Sequence, residues 1–105
     1  MKWIFAMLLG LTAAHAFEDS PGTPVYLRPR VWNMGSQVQV EVWNTSDVDV
    51  DCRGSVTIRT QRGDFQSEYF YATIYRGMTG RQTYWLRNYQ DRVTYTTEFI
   101  NCYER

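Results

Sequence analysis

Alternation of apolar and polar residues with a period of two is the feature that most constrains how this chain folds. It is clearest in residues 37–44, QVQVEVWN, where three valines fall on one face and Gln, Glu and Trp fall on the other. That period is typical of a strand with one buried face. No long segment keeps the apolar spacing of a helix, and turn residues recur about every 8–14 residues. The sequence therefore predicts an all-β sandwich or small barrel.

The sequence leaves two points open: the number of strands, and a shift in the apolar–polar alternation within the last predicted strand. We count six strands, and residues 25–32 or 47–51 are the candidates for a seventh. In the last predicted strand, Val93, Tyr95 and Phe99 share one face, whereas Ile100 and Cys102 fall on the other. Either both faces are covered there, or a β-bulge shifts the phase.

The N-terminus has the pattern of a secretory signal peptide. Lys2 precedes an apolar run over residues 3–11, and residues 14–16, Ala-His-Ala, form a small-x-small cleavage motif. The run is shorter than the roughly 20 apolar residues that span a bilayer. We therefore predict a signal peptide at 1–16 and one domain at 17–105, secreted or periplasmic, with no membrane span after cleavage.

Two cysteines remain in that domain, Cys52 and Cys102. An oxidising compartment favours a disulfide between them. The bond would close a loop of about 50 residues and contribute about 4 kcal/mol in the chain-entropy model. If Cys52 opens one strand and Cys102 closes an antiparallel neighbour, the bond joins two adjacent strands.

Cleavage of the leader would also remove two kinds of reactive side chain, histidine and lysine. His15 and Lys2 are the only His and Lys of the chain, so the remaining basic residues are all arginines. Histidine-based triads, imidazole zinc sites and lysine Schiff bases are then excluded. The near balance of arginine against acidic residues argues against general nucleic-acid binding. We expect no enzymatic activity and no cofactor.

One resemblance follows from particular residues. The segment VQVEVWNTSDVDVDCRGSVTIRTQRG, followed by YATIYRGMTGRQTYWL, resembles the middle of small exported immunoglobulin-like sandwich domains. The resemblance implies an antiparallel β-sandwich of six to seven strands and says nothing about activity. It differs from antibody domains near the cysteines, because Ile100 stands where a Tyr would precede the second cysteine by two residues. A conventional inter-sheet disulfide is therefore not implied.

Aromatic and arginine side chains opposite the predicted core faces are the candidate binding surface. These are Trp43, Arg59, Tyr69, Tyr71, Tyr75, Arg81, Trp85 and Arg87. Rings stack on sugar C–H faces, and guanidinium groups bind carboxylates and hydroxyls. Cross-strand packing on an exposed face would also explain the rings, since such pairs contribute about 0.2–1 kcal/mol each.

Three further patterns are weaker. Asp47, Asp49 and Asp51 alternate and offer a weak Ca²⁺ candidate, but the valines between them favour a strand, so we predict no metal site. Asn44 begins a glycosylation sequon, although its reading as a turn residue is favoured.

Carboxylate catalysis would need two glutamates held about 5–9 Å apart in a cleft. Glu41, Glu68 and Glu98 are the residues that could pair across strands.

The function that these patterns favour is non-catalytic binding of a protein or glycan on a cell surface or in the envelope, through the ring face or an open strand edge. One alternative is a carbohydrate-binding module that uses Trp43, Tyr71 and Trp85. The other is a structural subunit that assembles by β-strand addition.

Overall fold

The computed structural model describes residues 22–105, and within them the chain forms seven strands and no helix. The strands are β1 (Pro24–Val25), β2 (Pro29–Asn33), β3 (Gln37–Trp43), β4 (Val50–Thr60), β5 (Phe65–Ile74), β6 (Thr79–Trp85) and β7 (Val93–Glu104). The predicted signal peptide and its cleavage site lie outside the described residues.

The strands form two antiparallel sheets, which confirms the all-β prediction. One sheet has the order β1-β7-β4-β5 and the other the order β2-β3-β6. The seventh strand comes from the N-terminal segment, which was predicted as one extended stretch. It supplies β1 to the first sheet and β2 to the second. In the other candidate segment, residues 47 and 48 lie in a bend, residue 49 has no regular structure, and residues 50 and 51 begin β4.

The core lies between the sheets and consists of the inward members of each alternating strand. Val38, Val40 and Val42 are fully buried, as predicted from their shared face. They pack with the inward residues of β4 and β5, among which Ile58 and Phe70 are the largest. Burial of each such side chain stabilises the fold by about 1.5–3 kcal/mol.

A β-bulge near the start of β7 explains the change of phase in the sequence. β4 places Arg59 opposite Tyr95 but Thr60 opposite Val93, which leaves Thr94 as the extra residue. Val93 therefore packs against the core, whereas Tyr95 points to solvent. Beyond the bulge the even-numbered residues of β7 face inward. The bulge alternative is confirmed.

The disulfide joins Cys52 and Cys102, which lie directly opposite each other on β4 and β7 with their Cα atoms 3.9 Å apart. The prediction that it joins adjacent strands is confirmed. The bond is compatible with an extracellular or periplasmic location. Two residues further along β4, a Cβ atom at Gly54 would overlap the carbonyl oxygen of Phe99. Only glycine therefore allows this close approach of β4 and β7.

One side of the sandwich is closed by side chains that cross between the edge strands β5 and β6. Three hydrogen bonds do this, from Gln66 Nε2 to Trp85 O (2.8 Å), from Tyr84 Oη to Tyr69 O (2.9 Å) and from Tyr71 N to Gln82 Oε1 (3.3 Å). Burial, and then the negative charge of Glu68, raise the pKa of Tyr84 to about 12. The phenol therefore stays a donor, and these edges have fewer free groups for another chain.

Asp91 anchors the loop between β6 and β7 to the turn between β4 and β5. Its Oδ1 atom accepts hydrogen bonds from the N–H groups of Arg92 (2.8 Å) and Arg62 (3.3 Å). Burial alone would raise the pKa of this carboxyl, but the Thr60 hydroxyl, the two N–H groups and the charge of Arg62 together hold the pKa below its usual range. The loop is thus held by an ionised side chain.

Candidate binding surfaces

The eight predicted surface residues are all exposed, but they do not form one surface. Trp43, Arg81 and Trp85 lie on the outer face of the three-stranded sheet, and Arg59, Tyr69 and Tyr71 lie on the outer face of the four-stranded sheet. Tyr75 and Arg87 lie in the loops that follow β5 and β6. The proposed sugar-binding combination of Trp43, Tyr71 and Trp85 is therefore divided between opposite sides of the molecule.

The outer face of the four-stranded sheet carries more rings than the sequence indicated. Three rings come from β5 and two from β7, and all stand clear of the core. Their exposed fractions are 61% for Phe65, 62% for Tyr69, 48% for Tyr71, 60% for Tyr95 and 69% for Phe99. With about 200 Å² of surface per ring, they offer roughly 600 Å² to solvent. This sum over separate rings is at the upper end of the roughly 300–600 Å² of the largest apolar patch on a typical monomer, and patches of that size are often functional.

The strand register places these rings on both sides of β4. Ser55 lies between Tyr69 and Phe99, and Arg59 lies between Phe65 and Tyr95. Because neighbouring strands are about 4.8 Å apart, the rows on β5 and β7 are separated by about 10 Å. The outward residues of β4, Arg53, Ser55, Thr57 and Arg59, thus form the floor of a shallow groove between the two rows; we call this groove the lane. We call the whole surface the ring face; its rings are Phe65, Tyr69, Tyr71, Tyr95 and Phe99.

The same register adds an arginine that the sequence interpretation missed. Arg53 lies on β4 opposite Tyr71, six positions before Arg59. Its outward parity was readable from the alternation of β4. The residues beside Arg53 on the neighbouring strands could not be predicted, because a single sequence does not show which strands pair. The bulge at Thr94 also concealed that Tyr95 and Phe99 share a face with Tyr69.

The outer face of the three-stranded sheet is different in character. Trp43 lies opposite Thr79 and Trp85 lies opposite Gln37, so the two indoles occupy opposite ends of the β3–β6 pair. Between them Arg81 forms an ion pair with Glu41. Glu41 and Arg81 at the centre of this face are therefore already paired, although Arg30 lies opposite Glu41 and makes no ion pair among the described residues. The indoles of Trp43 and Trp85 are far apart, and Trp32 on β2 is a third exposed ring of this face.

The aspartates of the calcium hypothesis make other contacts. Asp49 Oδ1 accepts the Arg76 N–H at 2.9 Å, and Asp51 Oδ1 accepts the Thr73 hydroxyl at 2.8 Å. Within residues 22–105, no three His, Cys, Asp or Glu side chains form a group that could hold a metal ion. The run of aspartates thus ties the start of β4 to β5 and to the turn that follows it.

The three glutamates considered for catalysis do not meet. Glu41 is bound to Arg81 on the outside of the three-stranded sheet. Glu68 and Glu98 both lie opposite Val56, one on each side, so about 10 Å and a buried valine side chain separate their strands. Burial raises the pKa of Glu98. No pair of these carboxylates shares a cleft.

Asn44 is a structural residue in this fold. Its side chain is fully buried, and its Nδ2 atom donates to Val48 O (2.8 Å) and Ile74 O (2.9 Å). Its Oδ1 atom accepts the N–H of Ser46 at 3.0 Å. A glycan on Nδ2 has neither the space nor the free hydrogen that it needs, so the turn interpretation of Asn44 is confirmed.

Comparisons with protein-family models, with curated proteins and with solved structures found no match. None of the described residues belongs to a helix that is long and apolar enough to span a bilayer. The assignment of function therefore depends on the surfaces described above.

Proposed function

We propose that this protein is an exported, non-catalytic binding protein that recognises a partner protein through the ring face. The observation that supports this is the exposure of five rings on one sheet face, with Tyr69 and Phe99 at its centre. Aromatic residues with flanking arginines are the side chains most enriched at interaction hot spots.

Two double exchanges on opposite sheets, each of which removes two exposed aromatic side chains, test the proposal. The double variant Tyr69→Ala, Phe99→Ala removes the centre of the ring face, whereas Trp43→Ala, Trp85→Ala removes two rings from the other sheet. All four side chains are exposed, so both variants should keep the fold. Unchanged far-UV circular dichroism and an intact disulfide would verify this.

The tagged protein, without its leader, captures a partner from the medium or envelope of the producing cell, and interferometry then measures the affinity of each variant for it. We expect a loss of at least about tenfold for the ring-face variant, since central hot-spot rings contribute 2 kcal/mol or more, and less than twofold for the control. Equal binding by the ring-face variant and wild type would refute the proposal. Turnover of any substrate would refute the non-catalytic part.

A second candidate, assembly by β-strand addition, is favoured by the open edge of β7. The chain leaves β7 after Val25 to join the other sheet, and a hollow of about 220 Å³ opens there, lined by residues 24–27 and 100–103. Glu104 donates its N–H to Thr23 O, so the even-numbered residues of β7 direct their backbone groups to this side. Among the described residues, no strand pairs with β7 on that side before Cys102.

Hydrogen exchange tests this candidate. The amides of Thr96, Glu98 and Ile100 should exchange rapidly in the isolated protein and become protected when a strand is added. Sedimentation of a lone monomer over a wide concentration range would count against addition between copies. Rapid exchange that persists in the partner complex would rule the edge out as the binding surface.

The finer fold assignment is also a proposal. The pairings β2-β3-β6 and β4-β7 correspond to strands A-B-E and C-F of an immunoglobulin-like sandwich, with β5 beside β4. In that assignment β1 occupies the beginning of the place of strand G beside β7, and no other described strand lies there. An experimental structure with a different strand order would overturn the assignment.

A further inference from the structure

The floor of the lane on the ring face is made by one strand. The outward side chains of β4 between the two arginines are Ser55 and Thr57, and both are short. Arg53 and Arg59 stand at the two ends, six positions apart, which corresponds to about 20 Å along an extended strand. The lane has a guanidinium group at each end and rings on both sides of Ser55, whereas the short polar residues Ser67 and Thr97 flank Thr57.

The charges of this lane are unbalanced. Within residues 22–105, neither Arg53 nor Arg59 makes an ion pair, and Arg59 rests over the ring of Phe65 at 5.4 Å. Among the outward residues of β4, β5 and β7 in the described part of the chain, Asp51 is the one carboxylate; it lies at the margin of the face and pairs with Arg105. A guanidinium group held on a ring keeps N–H groups free for an external carboxylate.

We propose that the partner presents an extended polypeptide segment that lies along β4. Its central side chains are apolar, and two carboxylates about 20 Å apart bind the guanidinium groups of Arg53 and Arg59. This inference rests on the proposed function and names the chemistry of the partner. The separation of about 10 Å between the two rows of rings admits one extended chain with its side chains.

The same charges argue against two other occupants. In a second copy docked face to face about a two-fold axis perpendicular to β4, Arg53 of one copy would meet Arg59 of the other, and about an axis parallel to β4 each arginine would meet its own equivalent. Like charges oppose both arrangements. A polyanion such as a sulfated glycan would bring charges along its whole length. The middle of the lane, Ser55 and Thr57, has no cation to receive them.

Selection from a displayed library of random twelve-residue peptides tests the proposal, with the disulfide-intact domain as the target. The selected peptides should carry two acidic residues five to seven positions apart, with apolar residues between them. Isothermal titration of synthesised peptides should show about tenfold weaker binding to Arg53→Gln, Arg59→Gln, because two partly exposed charge pairs are lost. Arg30→Gln, an exposed arginine on the other sheet, should bind within twofold of wild type.

The possible outcomes separate this inference from the function on which it rests. Peptides that require Tyr69 and Phe99 but bind the double arginine variant as tightly as wild type would overturn the acidic segment and leave the ring face standing. Peptides that bind the Tyr69→Ala, Phe99→Ala variant as tightly as wild type would contradict both. Failure to select any peptide would overturn the inference alone. Heparin that bound through Arg53 and Arg59 would also overturn it.

Discussion

Replacement of Asn44 by alanine is the sharpest test of the fold. The amide of Asn44 ties the end of β3 to the loop before β4, through Val48 O, and to the end of β5, through Ile74 O. Alanine fills part of the space but donates nothing. The Ser46 hydroxyl has Asn44 Oδ1 and Val48 O as its acceptors, so in the variant it can donate its one hydrogen to Val48 O at 3.0 Å, whereas Ile74 O loses the bond from Nδ2.

The magnitude follows from these contacts. A buried group left without a partner costs about 1–3 kcal/mol, and each other lost hydrogen bond about 1 kcal/mol. For Asn44→Ala we therefore expect a loss of about 3 kcal/mol. In a domain of this size each kcal/mol lowers Tm by about 4–8 °C, so Tm should fall by about 15 °C. The loss of about 3 kcal/mol is a large share of the 5–15 kcal/mol by which a typical domain is stable.

Urea unfolding followed by tryptophan fluorescence measures the loss. Asn101→Ala, an exposed asparagine on β7, is the matched control and should change stability by less than about 0.5 kcal/mol. The variant Asn44→Asp tests whether the side chain at position 44 must donate hydrogen bonds to these two carbonyl oxygens. At pH 7 its carboxylate would face two carbonyl oxygens, whereas the protonated acid at pH 3 can donate to one of them. A loss below about 1 kcal/mol for Asn44→Ala, or an aspartate better tolerated at pH 7, would refute the reasoning.

Four further perturbations follow from the fold. Cys52→Ala together with Cys102→Ala should reduce the free energy of unfolding by about 4 kcal/mol in urea titrations. Gly54→Ala should destabilise by about 1–3 kcal/mol, because the added methyl meets the backbone of β7; wild-type stability would contradict the strand spacing. Because burial raises the pKa of Glu98, its ionisation opposes folding as pH rises, so Glu98→Gln should raise Tm at pH 7 but not at pH 3. The lowered pKa of Asp91 contributes stability that is lost as pH falls, so the Tm deficit of Asp91→Asn should shrink from pH 7 to pH 2.5.

The fold class was predictable because the hydrophobic pattern acts within one strand. Val38, Val40 and Val42 alternate with polar residues, and a strand buries such a set on one side whatever its neighbours are. The division of residues 25–32 between two sheets was not predictable in this way. Pro29 marks the start of β2, but nothing local shows that the residues before it pair with a strand 77 positions later, as Val25 does with Cys102.

The candidate site shows the same limit more strongly. Exposure of Tyr69 and Trp85 followed from parity, which is a local property. Their separation onto different sheets did not, because the sheet to which a strand belongs depends on long-range pairing. The disulfide also bears on strand register, because Cys52 lies directly opposite Cys102 and so fixes the pairing of β4 with β7. In that register Ser55 has Phe99 on one side and Tyr69 on the other.

The arrangement of the ring face is relevant to both roles considered for its aromatic residues, sheet stabilisation and partner binding. Ser55 separates Tyr69 from Phe99, so these two rings do not form a direct cross-strand pair, whereas Arg59 lies over the Phe65 ring and gives that ring a sheet-stabilising contact. The rings also point away from the core, so they cannot cover it. Removing roughly 600 Å² of ring surface from water would contribute about 15 kcal/mol, near the upper end of the 4–15 kcal/mol that association costs. If the ring face binds a partner as proposed, the rings alone would barely hold it, and the arginines and backbone groups around them would supply the rest of the affinity and the choice of partner.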